Sequence, residues 1–139
     1  MNATRRTVLI AGALSAITAL SFSSAVFAAS DLVEVQSLNA ANKPITVAVP
    51  KNPQRIAVAD FSVLDTLDHW GLGERIVALP QTTALPYLPQ YFKKSKKVTN
   101  LGTLKEIDLE GLMAAEPDVI FISGRLAKKY DELSKIAPV

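Results

Sequence analysis

Arg125 is the residue of this chain best placed to meet an anion. It follows Gly124, leaves the apolar run Asp118-Val119-Ile120-Phe121-Ile122, and precedes a helical pattern. A guanidinium there offers several fixed N–H donors and a permanent positive charge. On position alone, the same arginine equally suits a surface pair with Asp131 or Glu132. Two further apolar runs end in polar segments, Asp60-Phe61-Ser62 and Pro80-Gln81-Thr82-Thr83, and Leu101-Gly102-Thr103-Leu104 is grouped with them. Ser123 and Gly124 fit a tight strand-to-helix turn, with or without a ligand.

No catalytic set emerges. Ser62, Ser123 and His69 form no nucleophile motif, and there is no G-x-S-x-G. His69, late in a helical pattern, reads as a partly buried structural histidine rather than a general base. Asp65 and Asp68 share a helix face, where capping and solvation explain them better than acid–base work. Lys93-Lys94-Ser95-Lys96-Lys97 has no interleaved aromatics and reads as a solvated loop. Gly71 and Gly73 read as turn glycines, since no G-x-G-x-x-G is present.

Composition narrows the classes. The 139 residues carry 15 Lys+Arg against 13 Asp+Glu, a formal charge of +2, which disfavours a nucleic-acid partner. With 49% hydrophobic and 20% charged residues, the chain is globular and not disordered. Cysteine is absent, which excludes a disulfide framework, a thiol nucleophile, thiolate metal sites and a lipidated cysteine. A single histidine is too little for a His-rich metal centre.

The elements that position these residues alternate in type. Residues 1–28 read as an export signal, with Arg5 and Arg6 before an apolar stretch from about Val8 to Leu20 and a small-residue exit at Ala25-Val26-Phe27-Ala28. A membrane anchor is the other reading, and the paired arginines leave the general and twin-arginine routes open. Cleavage after Ala28 leaves a balanced charge and a soluble chain, for which a Gram-negative periplasm fits. Residues 29–49 predict a β-hairpin leader, from Leu32–Gln36 and Ile45–Val49 about an Asn39–Pro44 turn. Residues 50–139 predict strands at Arg55–Ala59, Arg75–Leu79 and Asp118–Ile122, with helices between and after them.

Helix ends and faces follow from capping and periodicity. Ser62 to Trp70 predicts a helix capped by Ser62 with Asp65 three residues on, stopped by Gly71, and burying Val63, Leu64, Leu67 and Trp70. Leu85 to Phe92 predicts a short helix. Asp108 caps a helix through Glu116, with Leu109, Leu112 and Met113 facing the core. Leu126 to Ala137 predicts a last helix with Leu126, Tyr130, Leu133 and Ala137 inward. Such alternation means a Rossmann-like parallel α/β sheet with flanking helices, whose ligands gather at the strands' carboxyl ends. Three strands and a hairpin make a thin core, so the sequence reads as a truncated or isolated lobe.

Several motifs, in order, carry a resemblance. They are Asn52-Pro53-Gln54-Arg55-Ile56-Ala57-Val58, Leu64-Asp65-Thr66-Leu67-Asp68 with Gly71-Leu72-Gly73, Asn100 to Glu106, Glu116-Pro117-Asp118-Val119-Ile120, Ile122 to Arg125, and Tyr130 to Pro138. From about Pro44 to Val139 the chain resembles the N-terminal lobe of periplasmic ferric-siderophore-binding proteins of ABC transporters. That group is the catecholate-type branch of the iron and vitamin B12 binding family. The resemblance implies one lobe of a two-lobe, non-enzymatic binding protein, a cleft between the lobes, and modest lobe movement. It implies no directly bound cofactor or metal; a ferric siderophore is the transported ligand and supplies the iron's own ligands. The implied partners are a permease and its ATPase in the inner membrane, and the expected state is a monomer. Arg125 matches a cleft arginine that contacts the anionic ferric catecholate. Glu110 matches a lobe-surface glutamate that docks on permease arginines; by itself it is an ordinary first-turn acid favoured by the helix dipole. Asp60, Phe61, Pro80, Ser123 and Gly124 are placed at the ligand by topology. Haem or a corrinoid as cargo, and a single lobe without transport activity, stand as alternatives.

Overall fold

The computed structural model describes residues 31–81, 84–92 and 98–139. The export signal, Thr82, Thr83 and the Lys93–Lys97 run lie outside the described residues.

The leader is the expected hairpin. Strand β1 (Leu32–Leu38) pairs antiparallel with β2 (Pro44–Pro50), from Leu32 opposite Pro50 to Leu38 opposite Pro44. Asn39 shapes the turn by accepting the Ala41 and Lys43 N–H groups at 2.9 and 3.0 Å, and Asn42 takes the left-handed conformation at φ 56°. Asparagine tolerates both tasks because its short amide substitutes for backbone partners.

The body is a parallel sheet of four strands. They are β3 (Ile56–Ala59), β4 (Ile76–Leu79), β5 (Thr99–Asn100) and β6 (Val119–Ile122), in the spatial order β5-β4-β3-β6. All four residues of β3 are buried, as an inner parallel strand covered on both faces requires. Its alternation serves two cores. Ile56 and Val58 pack with Leu64, Leu67 and Tyr91; Ala57 packs with Leu112, Ile120 and Leu133. A register irregularity pairs Ile56 with Ile76 but Ala57 with Ala78. Val77 is skipped, so Ile76 joins the first core and Ala78 the second. Strand β5 was not anticipated: two residues after a lysine-rich run carry no periodic signal.

Helix α1 (Phe61–His69) starts one residue after β3, and its cap corrects the sequence expectation. Asp60, not Ser62, is the N-cap. Asp60 Oδ1 accepts from Ser62 N at 2.8 Å, Val63 N at 3.3 Å and Ser62 Oγ at 2.5 Å. An ionised acceptor satisfies the first N–H groups and the helix dipole together, so it displaces the serine from that role. Gly71 ends the helix at φ 73°, with Gly71 N bonded to Asp68 O and Leu72 N to Leu67 O, a Schellman closure. Leu64 and Leu67 face the core, but Trp70 is 67% exposed. It sits at the C-cap, where the chain leaves helical geometry and the periodicity lapses. His69 is exposed in the last turn, not partly buried.

The remaining helices are shorter than their patterns. Of Leu85–Phe92 only Pro89–Tyr91 is helical, as one 3₁₀ turn. Tyr91 is buried there and donates to Asp68 at 2.5 Å; burial first, and then the Asp68 carboxylate, push its phenol well above the ordinary range. Asp68 also accepts from Gln90 at 3.1 Å while Asp65 is exposed, so those two acids do not work as a pair. Helix α2 (Leu109–Ala114) has the expected Asp108 cap, bonded to Gly111 N at 3.0 Å. It ends at its C-cap Ala115 because Glu116 turns to φ 44° ahead of Pro117; Arg55 donates to the Ala115 and Glu116 carbonyls just past it. Met113 is 54% exposed, so only Leu112 is fully buried on that helix. The last segment is a 3₁₀ stretch, Gly124–Lys129, followed by α3 (Tyr130–Leu133). Leu126, Leu133 and Ala137 are buried as expected, while Tyr130 is half-buried.

Candidate ligand site at the carboxyl edge of the sheet

All four strands run in one direction, so their carboxyl ends form one edge. Along it lie Leu101–Gly102 after β5, Pro80–Gln81 after β4, Asp60–Phe61 after β3 and Ser123–Gly124–Arg125 after β6. The sequence-derived residues are therefore brought together, but the two halves of the edge differ.

The β4/β5 half is closed by its own hydrogen bonds. Asn100 Oδ1 accepts Gln81 N at 3.1 Å and Gly102 N at 2.9 Å. The Gln81 side chain donates to the Tyr91 and Val98 carbonyls at 3.4 and 3.3 Å. Pro80 is fully buried, so it supports this half and presents no surface. Asn100 escaped the sequence reading because its partners are set by the unanticipated strand β5.

The β3/β6 half is open. Ala59 pairs with Ile122, so Asp60 and Ser123 leave the sheet side by side. Arg125 is exposed and takes no hydrogen bond or ion pair among the described residues. The alternative pairing with Glu132 is already occupied, because Lys129 Nζ holds both Glu132 oxygens at 3.0 and 2.9 Å. A side chain at Gly124 would meet open space, and Ser123 Oγ is buried without a hydrogen-bond partner. Phe61 is half-buried and meets Phe92 edge-on, with ring centroids 6.3 Å apart at 76°. Phe92 was missed: no local pattern links it to a residue so far back in the chain.

Charge on this half is mixed. The Ser62 hydroxyl does most to hold the Asp60 carboxyl below its usual 3.8; partial burial opposes it, and the Ser62 and Val63 N–H groups and the Arg125 charge add to it. Asp60 is thus a carboxylate near a guanidinium, with neither bonded to the other. The exposed guanidinium is the part of this arrangement that can hold an anion. No group of three or more His, Cys, Asp or Glu able to hold a metal occurs among the described residues.

Glu110 lies elsewhere. It is exposed in the first turn of α2, on the segment that follows β5. Three strand spacings, about 14 Å, separate β5 from β6. A groove of about 540 Å³ also opens between the hairpin and β6, lined mostly by apolar residues such as Val35, Leu38, Phe121 and Val139 and reaching Ser123 and Gly124 of the open half. Its apolar walls do not suit a highly charged anion.

Known proteins share this fold. The family described as "Periplasmic binding protein" matches residues 56–139. The petrobactin-binding protein YclQ of Bacillus subtilis is 43% identical over 90 residues, which are 65% of this chain and 28% of YclQ. The YclQ crystal structure superposes with TM-score 0.67 at 37% identity, covering 76% of this chain and 36% of that one. The siderophore-binding protein BauB, bound to two acinetobactin molecules and ferric iron, gives 0.65 at 29% identity, covering 76% and 35%. The catecholate-siderophore-binding protein VctP of Vibrio cholerae gives 0.61 at 33%, covering 76% and 36%. The chain thus spans little more than a quarter of YclQ by sequence.

Proposed function

This chain belongs to the periplasmic binding protein family, and from that premise we propose that it captures a ferric siderophore for an ABC importer. The lobe supplies one wall of a ligand cleft, and the complex is delivered to a permease and its ATPase in the inner membrane. Residues 1–28 direct export to the periplasm, and the protein works there as a monomer without enzymatic activity.

One observation carries the reading: Arg125 stands exposed at the carboxyl edge and takes no hydrogen bond or ion pair among the described residues, while Glu132 is held by Lys129. A ferric tris-catecholate is a large trianion, and a guanidinium presents fixed donors to its oxygens. Phe61, next to Asp60 on the same edge, adds a half-buried aromatic ring. The names of BauB and VctP support a siderophore as ligand, and that of VctP a catecholate one. Glu110, distant from Arg125 along the edge, is free to serve as the permease contact while a ligand is bound.

Calorimetric titration of the full chain with a ferric tris-catecholate, haem and a corrinoid tests the cargo. Saturable binding of the ferric catecholate in preference to the other two is expected. Preference for haem or the corrinoid refutes the siderophore assignment.

A further inference from the structure

The open half of the edge holds two opposite charges, and only one of them suits an anion. Asp60 and Ser123 follow paired residues of adjacent strands, which run about 4.8 Å apart, and Arg125 is two residues further on. Asp60 uses Oδ1 for all three bonds that cap α1. Its other oxygen, Oδ2, takes no hydrogen bond among the described residues. An anion approaching Arg125 therefore enters the field of an ionised carboxylate. Repulsion from that carboxylate grows with the anion's charge, and an uncharged complex does not feel it.

We propose that Asp60 is a charge-selecting residue of this site: its carboxylate opposes the binding of highly anionic complexes and so limits how much negative charge the site accepts. The proposal rests on the reading of Arg125 as the anion contact. Capping and charge are separable at this position. Asparagine and serine are N-caps as good as aspartate, but neither carries the charge.

The test titrates wild type, Asp60→Asn and Arg125→Ala with a trianionic ferric tris-catecholate and an uncharged ferric tris-hydroxamate. At low ionic strength Asp60→Asn is expected to bind the trianion about threefold to tenfold more tightly. At about 0.5 M salt the gain shrinks, because the two groups are screened from one another. The uncharged complex is bound equally, or equally not at all, by wild type and Asp60→Asn. Asp60→Ser repeats the measurement should the asparagine variant melt early. Unchanged or weaker binding of the trianion in both variants, with α1 intact, overturns the proposal, and the Arg125 reading survives if Arg125→Ala has lost affinity. Wild-type affinity in Arg125→Ala removes that reading and this inference with it.

Discussion

The carboxylate of Asp60 and the guanidinium of Arg125 leave adjacent parallel strands at the same edge, yet no hydrogen bond joins them. Asp60 is turned to its own helix, where Ser62 and Val63 occupy Oδ1. Arg125 is left with an exposed charge. The same sheet geometry that builds a helix start beside β3 leaves beside β6 a guanidinium with no hydrogen bond or ion pair among the described residues.

The cap makes Asp60 a stability element with a defined pH dependence. Its folded carboxyl is held below 3.8, so its contribution is present above that value and is lost as pH falls through the lower folded value. Asp60→Ala is expected to cost about 1 kcal/mol at neutral pH, while Asp60→Asn keeps the cap and loses only the charge's attraction to the helix dipole, about 0.3–1 kcal/mol. Urea unfolding at neutral pH and near pH 2 checks both statements. The stability gap between wild type and Asp60→Asn should narrow on the acid side.

Gly73 and Tyr91 are predicted to be coupled. A Cβ at Gly73 would run into the Tyr91 hydroxyl, which is fixed by its bond to Asp68. Gly73→Ala should therefore destabilise by about 1–3 kcal/mol, as overpacking does. Tyr91→Phe removes the obstructing oxygen at a cost of about 1.5–3 kcal/mol, the range for a bond to a charged acceptor. The double variant should lose less than the sum of the two single losses. Additive losses in a double-mutant cycle would show that the residues do not meet.

Glu110 gives a prediction in cells. Glu110→Ala removes an exposed acid from the first turn of α2, so the fold changes by at most about 1 kcal/mol. Ferric-siderophore affinity in vitro should equal that of wild type, and permease-dependent iron uptake should fall. Normal uptake by this variant would dismiss the docking role.

Much of the fold was legible because local rules and packing agreed. The runs Ile56–Ala59, Ile76–Leu79 and Val119–Ile122 are short, apolar and bounded by turn residues, so each reads as a buried strand. Asp108 and Gly71 announce a cap and a stop that the structure keeps. What escaped was decided by distant partners. Arg55, far back in the chain, donates to the Ala115 and Glu116 carbonyls just past the end of α2. Asp60 and not Ser62 is the cap because α1 begins at Phe61, straight after the residue that follows β3. Strand β5 exists only because Ala78 and Leu79 offer it an edge. At the site, Arg125 was visible from its place after a glycine and a buried strand. That Glu132 goes to Lys129 and not to Arg125 was not, because both basic residues lie a short way before it in the chain. The burial of Pro80 was equally invisible in a Pro-Gln-Thr-Thr segment that reads as an exposed loop.

The central claim is that Arg125 holds an anionic ferric siderophore, and its most direct test is the affinity of Arg125→Ala for a ferric tris-catecholate. A charged hydrogen bond contributes about 1.5–3 kcal/mol, so a loss of at least about tenfold is expected, with Arg125→Lys intermediate. Affinity equal to wild type in the alanine variant would contradict the account.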